Sequence, residues 1–215
     1  MDPQRCPLCL GNSTWLFHRK KTGEEYFRCF DCHLTFLSPE FHLTPEQEFE
    51  RYQTHRNDVH DEGYQNYLRP VVNAVINTQL MRAEGLDYGC GPNSAASHLL
   101  REQGHRIAGY DPFFYNEPKL LEVKHDYIVC TEVIEHFRKP FEEFGKIKRL
   151  LRPLGSLFVR TSLTDTVDDF ENWHYHRDPT HVCFYATQSL RWICSNLKWT
   201  EVDIQPDCCV LQRSA

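Results

Sequence analysis

From residue 84 onward, short apolar runs alternate with amphipathic stretches. The runs at 84–88, 106–110, 126–131 and 155–161 have the length and the aliphatic and aromatic content of strands. Between them, 94–103 and 139–151 carry apolar residues at helical spacing; in the second, Phe141, Phe144, Ile147, Leu150 and Leu151 share one face. Thr187 is placed to cap a further helix running to about residue 196. The chain closes on strand-like runs at 198–204 and 208–213, joined by Pro206-Asp207, a good turn pair. Strands alternating with helices predict an α/β fold, a Rossmann-like doubly wound parallel sheet finished by an antiparallel hairpin.

Upstream the pattern changes. A helix is expected from Asp61, because Tyr64, Tyr67, Leu68, Val71, Val72, Val75 and Ile76 recur every three or four residues; Pro70 inside it predicts a kink or a break. Thr44-Pro45-Glu46-Gln47 combines an N-cap hydroxyl, proline at the first helical position and a glutamine three residues after the cap. Before that, two cysteine pairs flank His18-Arg19-Lys20-Lys21 and Thr22-Gly23, and the segment closes at Ser38-Pro39. This reads as a β-rich knuckle with Gly23 near a hairpin tip. The expected division is a small cysteine-bearing ribbon over 1–40, a helical connector over 41–82, and an α/β domain over 83–215.

Composition narrows the chemistry. At 215 residues, 40% hydrophobic and 25% charged, the chain resembles an ordinary globular protein, and its net charge of −6 gives no global attraction for nucleic acid or anionic membrane. No apolar run approaches the roughly 20 residues that span a bilayer. No hydrophobic export signal follows Met1-Asp2-Pro3-Gln4-Arg5, so a cytoplasmic protein is expected. Ten cysteines in a reducing compartment read as thiols or metal ligands. Cys6-x2-Cys9 and Cys29-x2-Cys32 supply four thiolates as two close pairs, which suits a closed, tetrahedral structural zinc, with His33 a bystander. Arg19-Lys20-Lys21 is expected to be a solvated tip, the alternative being a phosphate contact. Cys90, Cys130, Cys183 and Cys194 are expected to act as small core residues, with Cys208 and Cys209 in the last strand.

Gly89 and Gly91 follow a strand and precede a helix, and Asp111 ends the next strand. Such a loop suits a dinucleotide, a methyl donor or a plain tight turn. Asp87 before the glycines disfavours a pyrophosphate and suits the cationic amino-acid end of a methyl donor. The stretch Leu86-Asp87-Tyr88-Gly89-Cys90-Gly91-Pro92 resembles motif I of the class I S-adenosylmethionine-dependent methyltransferases. Glu132-Val133-Ile134-Glu135-His136-Phe137 resembles the E-V-x-E-H signature of the subfamily that includes ubiquinone-pathway enzymes. Leu151-Arg152-Pro153-Leu154-Gly155 resembles the turn before the fifth strand of that fold.

The resemblance implies a donor site made by Asp87, Tyr88, Gly89, Cys90, Gly91, Asp111, Pro112, Thr131 and Glu132. Asp87, Gly89 and Gly91 would line the methionine part, Asp111 would hold the ribose, and the backbone at Thr131 and Glu132 would lie beneath the sulfonium. Two departures stand out. Asn93 replaces a third glycine, and the short stretch from Asp111 to Tyr127 is too brief for a crossover helix and third strand, so a trimmed third-strand region is expected. Phe113 and Phe114 are candidates either to stack on adenine or to cover the shortened edge.

The segment Trp173-His174-Tyr175-His176-Arg177-Asp178-Pro179-Thr180-His181-Val182-Cys183-Phe184-Tyr185 should face the acceptor, and its D-P-T-H-V-x-F-Y part is similar to a segment of small-molecule methyltransferases. A hydroxyl or ammonium acceptor must lose a proton, which makes His181 the first candidate base and His136 the second. A metal held by His174, His176, Asp178 and His181, or a purely structural hydrogen bond from His181 to Asp178 or backbone, are the alternatives. Tyr52, His55, Asn57 and Tyr64 fall where a helix can cover the donor. The expected function is methyl transfer from S-adenosylmethionine to oxygen or nitrogen of a small molecule. One alternative is an RNA base methyltransferase that holds substrate with its zinc knuckle, as zinc-bearing rRNA enzymes resemble this layout. The other is a non-catalytic, zinc-bearing interaction protein.

Overall fold

A computed structural model describes residues 4–54 and 58–215. The N-terminal hairpin is β1 (Thr14–Arg19) and β2 (Glu25–Cys29), with Gly23 in the left-handed region at its tip, and β3 (Thr35–Leu37) extends it. Then come α1 (Pro45–Tyr52) and α2 (Glu62–Thr78). The capping box at Thr44 and Gln47 forms, and Asp61 caps α2 by accepting the Tyr64 N–H at 2.6 Å. Pro70 does not break α2. The carbonyl that loses its partner belongs to Asn66, on the exposed side, where water can replace it.

The central sheet uses β4 (Glu84–Tyr88), β5 (Arg106–Tyr110), β6 (His125–Thr131) and β7 (Leu151–Arg160), all parallel, with α3 (Ala95–Glu102) and α4 (Pro140–Leu150) between them. After β8 (Cys183–Phe184), α5 (Thr187–Leu197) leads into the hairpin β9 (Trp199–Gln205) and β10 (Cys208–Arg213). The order is β5-β4-β6-β7-β10-β9, with β10 antiparallel to both neighbours. This is the doubly wound sheet with a closing hairpin. Its β5 edge is trimmed: between Tyr110 and His125 the chain makes a tight turn closed by an Asp111–Tyr115 bridge and a 3-10 turn at Pro118–Leu121, with no crossover helix or further strand among these described residues. Two local details differ from expectation. Ala186, not Thr187, is the N-cap of α5, its N–H bonding Ser189 Oγ at 3.1 Å. The turn expected at 151–155 is a left-handed kink at Leu154 inside β7.

Strand alternation builds two apolar layers. Tyr127, Val129 and Phe158 face α2 and α3, meeting Leu68, Val71, Val75 and Leu100. Ile128, Cys130, Leu157 and Val159 face the other side, with Phe144, Ile147, Leu190 and Ile193 from α4 and α5. That second layer runs on without a gap into the N-terminal segment through Leu8, Tyr26, Leu34 and Phe36. The small sheet itself, β1-β2-β3-β8, takes its last strand from the C-terminal half. No helix among the described residues is long and apolar enough to cross a membrane.

Candidate active site

At the carboxyl ends of β4, β5 and β6 lies a cleft of about 1210 Å³. Asp87, Tyr88, Gly89, Cys90, Gly91, Asp111, Pro112, Thr131, Glu132, His136 and His181, separated by up to 94 positions, all line it. So do Tyr52 and Tyr64 of the connector; His55 and Asn57 lie outside the described residues.

The glycine loop has the geometry a close-approaching ligand needs. Gly89 (φ +80°) passes so near Val133 that a Cβ would sit 2.7 Å from its side chain. Gly91 (φ +61°) faces open space, with nothing within 4 Å of the Cβ position. Asn93 costs nothing, because the remaining left-handed residue of the loop is Ser94, at the start of α3. Asp87 is buried. Its Oδ2 accepts Ser97 Oγ at 2.8 Å, its Oδ1 has no partner, and burial pushes its pKa up to about 6 despite the Ser97 bond. Asp111 holds the loop: Oδ2 accepts the Gly91 N–H at 3.1 Å, and Oδ1 accepts those of Phe113 and Phe114 at 2.8 and 3.2 Å. The Cys90 thiol is pushed up to about 12 by burial and by Asp87, so it stays protonated.

Phe113 and Phe114 pack against Phe49 of α1 with ring centroids 5.7 and 5.9 Å apart, and Phe113 also meets Tyr52 at 5.5 Å. Phe113, Phe114 and Tyr52 line the cleft, with Phe49 packed against the two phenylalanines.

Opposite, Glu132 sits at φ +55°, a strained angle for a non-glycine residue, with its N–H held by Arg160 O at 2.9 Å. Its carboxylate accepts the Tyr67 hydroxyl at 2.6 Å. Burial, with Glu135 nearby, raises the Glu132 pKa, and burial likewise raises that of Glu135. Glu135 is wholly buried: Oε2 accepts Thr161 Oγ1 at 3.0 Å, while Oε1 has no hydrogen-bond partner and lies 3.9 Å from His136 Nε2. His136 and His181 stack edge to face at 4.8 Å. Each is oriented by a backbone carbonyl, His136 Nδ1 on Thr180 O at 3.0 Å and His181 Nδ1 on Tyr175 O at 2.7 Å. A carbonyl only accepts, so Nδ1 carries the proton and Nε2 of the neutral ring keeps the lone pair.

Of the sequence alternatives for His181, a hydrogen bond to backbone is present at Tyr175 O, whereas the metal site of His174, His176, Asp178 and His181 does not assemble. His176 is buried on the ribbon side, stacked on Phe170 at 4.7 Å with Nδ1 on Trp173 O at 2.8 Å, and so is turned toward another neighbourhood. Asp178 accepts two bonds from Arg51, at 3.1 and 2.7 Å, and one from Thr180 Oγ1 at 2.6 Å. Among the described residues, the clusters of metal-ligand type are the four cysteines and Glu135-His136-His181; His174, His176 and Asp178 belong to neither. The sequence reading missed Glu135, though it lies inside a quoted motif, and Arg51, which clips α1 over the cleft and has no local signal.

The sulfur atoms of Cys6, Cys9, Cys29 and Cys32 lie within 4.8 Å of one another, with Cys6–Cys32 at 3.5 Å and Cys9–Cys29 at 3.4 Å. A tetrahedral zinc with bonds of about 2.3 Å needs sulfurs about 3.8 Å apart. Both knuckles make the same bend. Leu10 (φ 62°) and His33 (φ 58°) follow their cysteine pairs and bond back to Cys6 O and Cys29 O at 2.9 and 3.1 Å. The donor set and its spacing fit zinc. At the hairpin tip, Arg19 pairs with Glu25, and Lys20 donates to His176 O at 3.0 Å instead of standing in solvent.

Comparisons with known proteins agree with this architecture. Three solved structures share the fold: a Burkholderia thailandensis 1,6-didemethyltoxoflavin-N1-methyltransferase (TM-score 0.57, 16% identity, covering 86% of this chain and 98% of that one); human N-acetylserotonin methyltransferase (0.57, 11%, 80% and 57%); and the N-methyltransferase NodS from Bradyrhizobium japonicum (0.52, 14%, 79% and 98%). No curated protein matches the sequence. The family profile described as "Methyltransferase domain" matches residues 60–202, the greater part of the chain. With that match spanning the glycine loop, the E-V-x-E-H run and the segment through His181, this chain belongs to the methyltransferase domain family.

Proposed function

We propose that this methyltransferase uses S-adenosylmethionine and methylates an oxygen or nitrogen of a small molecule. One observation carries the reading: Gly91 opens into a cleft ringed by Asp87, Asp111 and a pair of carbonyl-oriented histidines. The three structural neighbours, whose ligands include the donor or its demethylated product, support the choice of donor. The residues fit it. Asp87, with an unpartnered buried oxygen, suits its ammonium end, and Asp111 keeps acceptor capacity for ribose hydroxyls beyond its backbone bonds. Tyr88, Gly89, Cys90, Pro112, Thr131 and Glu132 complete that wall. Once bound, the donor supplies an electrophilic methyl group on a sulfonium.

The chain's own residues align the partners and take up a proton. His181, with its lone pair at Nε2, is the proposed base, and His136 beside it the second candidate. Glu135 Oε1 lies 3.9 Å from His136 Nε2, where an ionised carboxylate would favour a protonated imidazole. Phe49, Phe113, Phe114 and Tyr52 exclude water from the donor end. A zinc ion on Cys6, Cys9, Cys29 and Cys32 would leave no coordination site for substrate, which makes it structural. An RNA-clamping role for the ribbon gains no support, since Arg19 and Lys20 make contacts within the chain.

Two measurements test the reading. Labelled S-adenosylmethionine, incubated with a panel of small amines and hydroxyl compounds, should pass its methyl group to some of them; label appearing only in structured RNA would replace the acceptor class. Metal analysis of the purified chain should find one zinc, and a metal-free chain would remove the ribbon assignment.

A further inference from the structure

We infer that the N-terminal ribbon is a positioning element for the acceptor-side histidine, with Lys20 as the side chain that transmits it. The inference rests on the proposed role of His181. Besides the packing of His18 and Tyr26 on His176, two sets of hydrogen bonds join the ribbon to the segment that carries this residue.

The first is a strand pairing. β3 pairs antiparallel with β8, and the Leu37 N–H donates to Val182 O at 2.9 Å. On its other side, the Val182 N–H donates to Glu135 O, also at 2.9 Å. The residue next to His181 is thus held between the ribbon and the turn bearing Glu135 and His136. With its N–H and its C=O both bonded, Val182 has the peptide units on either side of its Cα pinned.

The second contact is Lys20. Its Nζ donates to His176 O at 3.0 Å and lies 5.4 Å from the Tyr26 ring centroid. Burial lowers its pKa, as expected for an ammonium taken partly out of water. His176 belongs to the 3-10 turn His174–Arg177, and the carbonyl before it, Tyr175 O, is the acceptor that fixes His181 Nδ1 at 2.7 Å. Tyr175 also lies against the His181 ring, with centroids 4.2 Å apart. Lys20 therefore grips one peptide of a short turn whose neighbouring peptide sets the tautomer of His181. A solvated hairpin tip would place no lysine here, and a phosphate clamp would turn it outward.

The test compares Lys20→Met and Lys20→Arg with the parent, as full-length protein saturated with S-adenosylhomocysteine. Nitrogen-15 spectra of the histidine rings report the tautomer of His181, and amide exchange reports local opening. In Lys20→Met, His181 should lose its single Nδ1–H form, and amides over 174–184 should exchange about tenfold faster. Exchange over 87–93 and affinity for S-adenosylhomocysteine should stay within about twofold. Lys20→Arg, which restores a donor, should recover the parent signature. An unchanged His181 spectrum in Lys20→Met would overturn the inference. So would acceleration of 87–93 and 174–184 by the same factor, since that is a general loss of stability. Failure of the parent to bind S-adenosylhomocysteine would instead strike the donor reading, leaving the ribbon contacts to be judged on the spectra of the unliganded chain.

Discussion

The two walls of the cleft are built in different ways. The proposed donor wall comes from strand ends of the parallel sheet: Asp87 and the glycines after β4, Asp111 after β5, Thr131 and Glu132 after β6. Its loop is held by short-range bonds and bonds between adjacent strands, as when Asp111 accepts the N–H groups of Gly91, Phe113 and Phe114, with Tyr67 and Glu143 bonding Glu132 and Tyr88 from the flanking helices. The proposed acceptor wall is assembled from distant pieces. Arg51 reaches Asp178 across 127 positions, and Lys20 reaches His176 across 156. The first wall is a property of the fold and can bind one invariant donor. The second depends on peripheral elements and can be retuned for different acceptors without disturbing the sheet.

The largest expected effect separates the walls most sharply. His181→Ala should reduce methyl transfer about 1000-fold, in the range of a lost general base, while affinity for S-adenosylhomocysteine is unchanged. Equal losses in both would show that His181 shapes the donor wall as well. Turnover within about twofold of the parent would remove it from the chemistry.

The next effect lies on the donor wall. Gly91→Val puts a β-branched side chain at φ +61° in the loop that lines the cleft, and no neighbouring atom lies within 4 Å of the Cβ position to be displaced. Donor affinity should fall about 100-fold, or about 2.7 kcal/mol, in titration calorimetry. The melting temperature should fall by only a few degrees, reflecting backbone strain of about 1–2 kcal/mol. Undiminished donor binding would mean that the ligand does not approach this loop.

The smallest effect is a dependence on pH. Burial raises the Asp87 pKa from 3.8 to about 6, so in the free protein its proton is favoured by folding. Stability from this group is full below its unfolded value and is lost as pH rises through about 6. A cationic donor reverses the preference by stabilising the carboxylate. Donor affinity should therefore rise as pH climbs through about 6 and level off above it, with proton release on binding. Asp87→Asn should flatten that rise and cost about tenfold in affinity above pH 7. A pH profile identical to the parent's would place the ammonium elsewhere.

The same contrast explains what was legible in the sequence. Strand and helix periodicity located the central elements to within a few residues, and the shortness of 111–127 foretold the trimmed edge, because both depend on local pattern and chain length. The glycines and Asp111 were readable because a strand-loop-helix unit fixes their relation within 20 or so positions. The acceptor wall was not readable in that way. His181 and His136 could be named from their chemistry, but nothing in their neighbourhood shows that Tyr175 O and Thr180 O set their tautomers. Lys20 sits in a basic run that looks solvated, and only the return of β8 beside β3 gives it an acceptor. Pro70 stayed inside a helix because the bond it removes lies on the wet side, a matter of orientation that composition does not encode.

The central claim is that the loop after β4 holds the methyl donor. Titration calorimetry of S-adenosylhomocysteine into the parent and into Gly91→Val tests it most directly. The account predicts binding at one site per chain in the parent and a loss of about 100-fold in the variant, with the fold intact by circular dichroism. A parent chain that releases no binding heat and shows no thermal stabilisation by the ligand would contradict it.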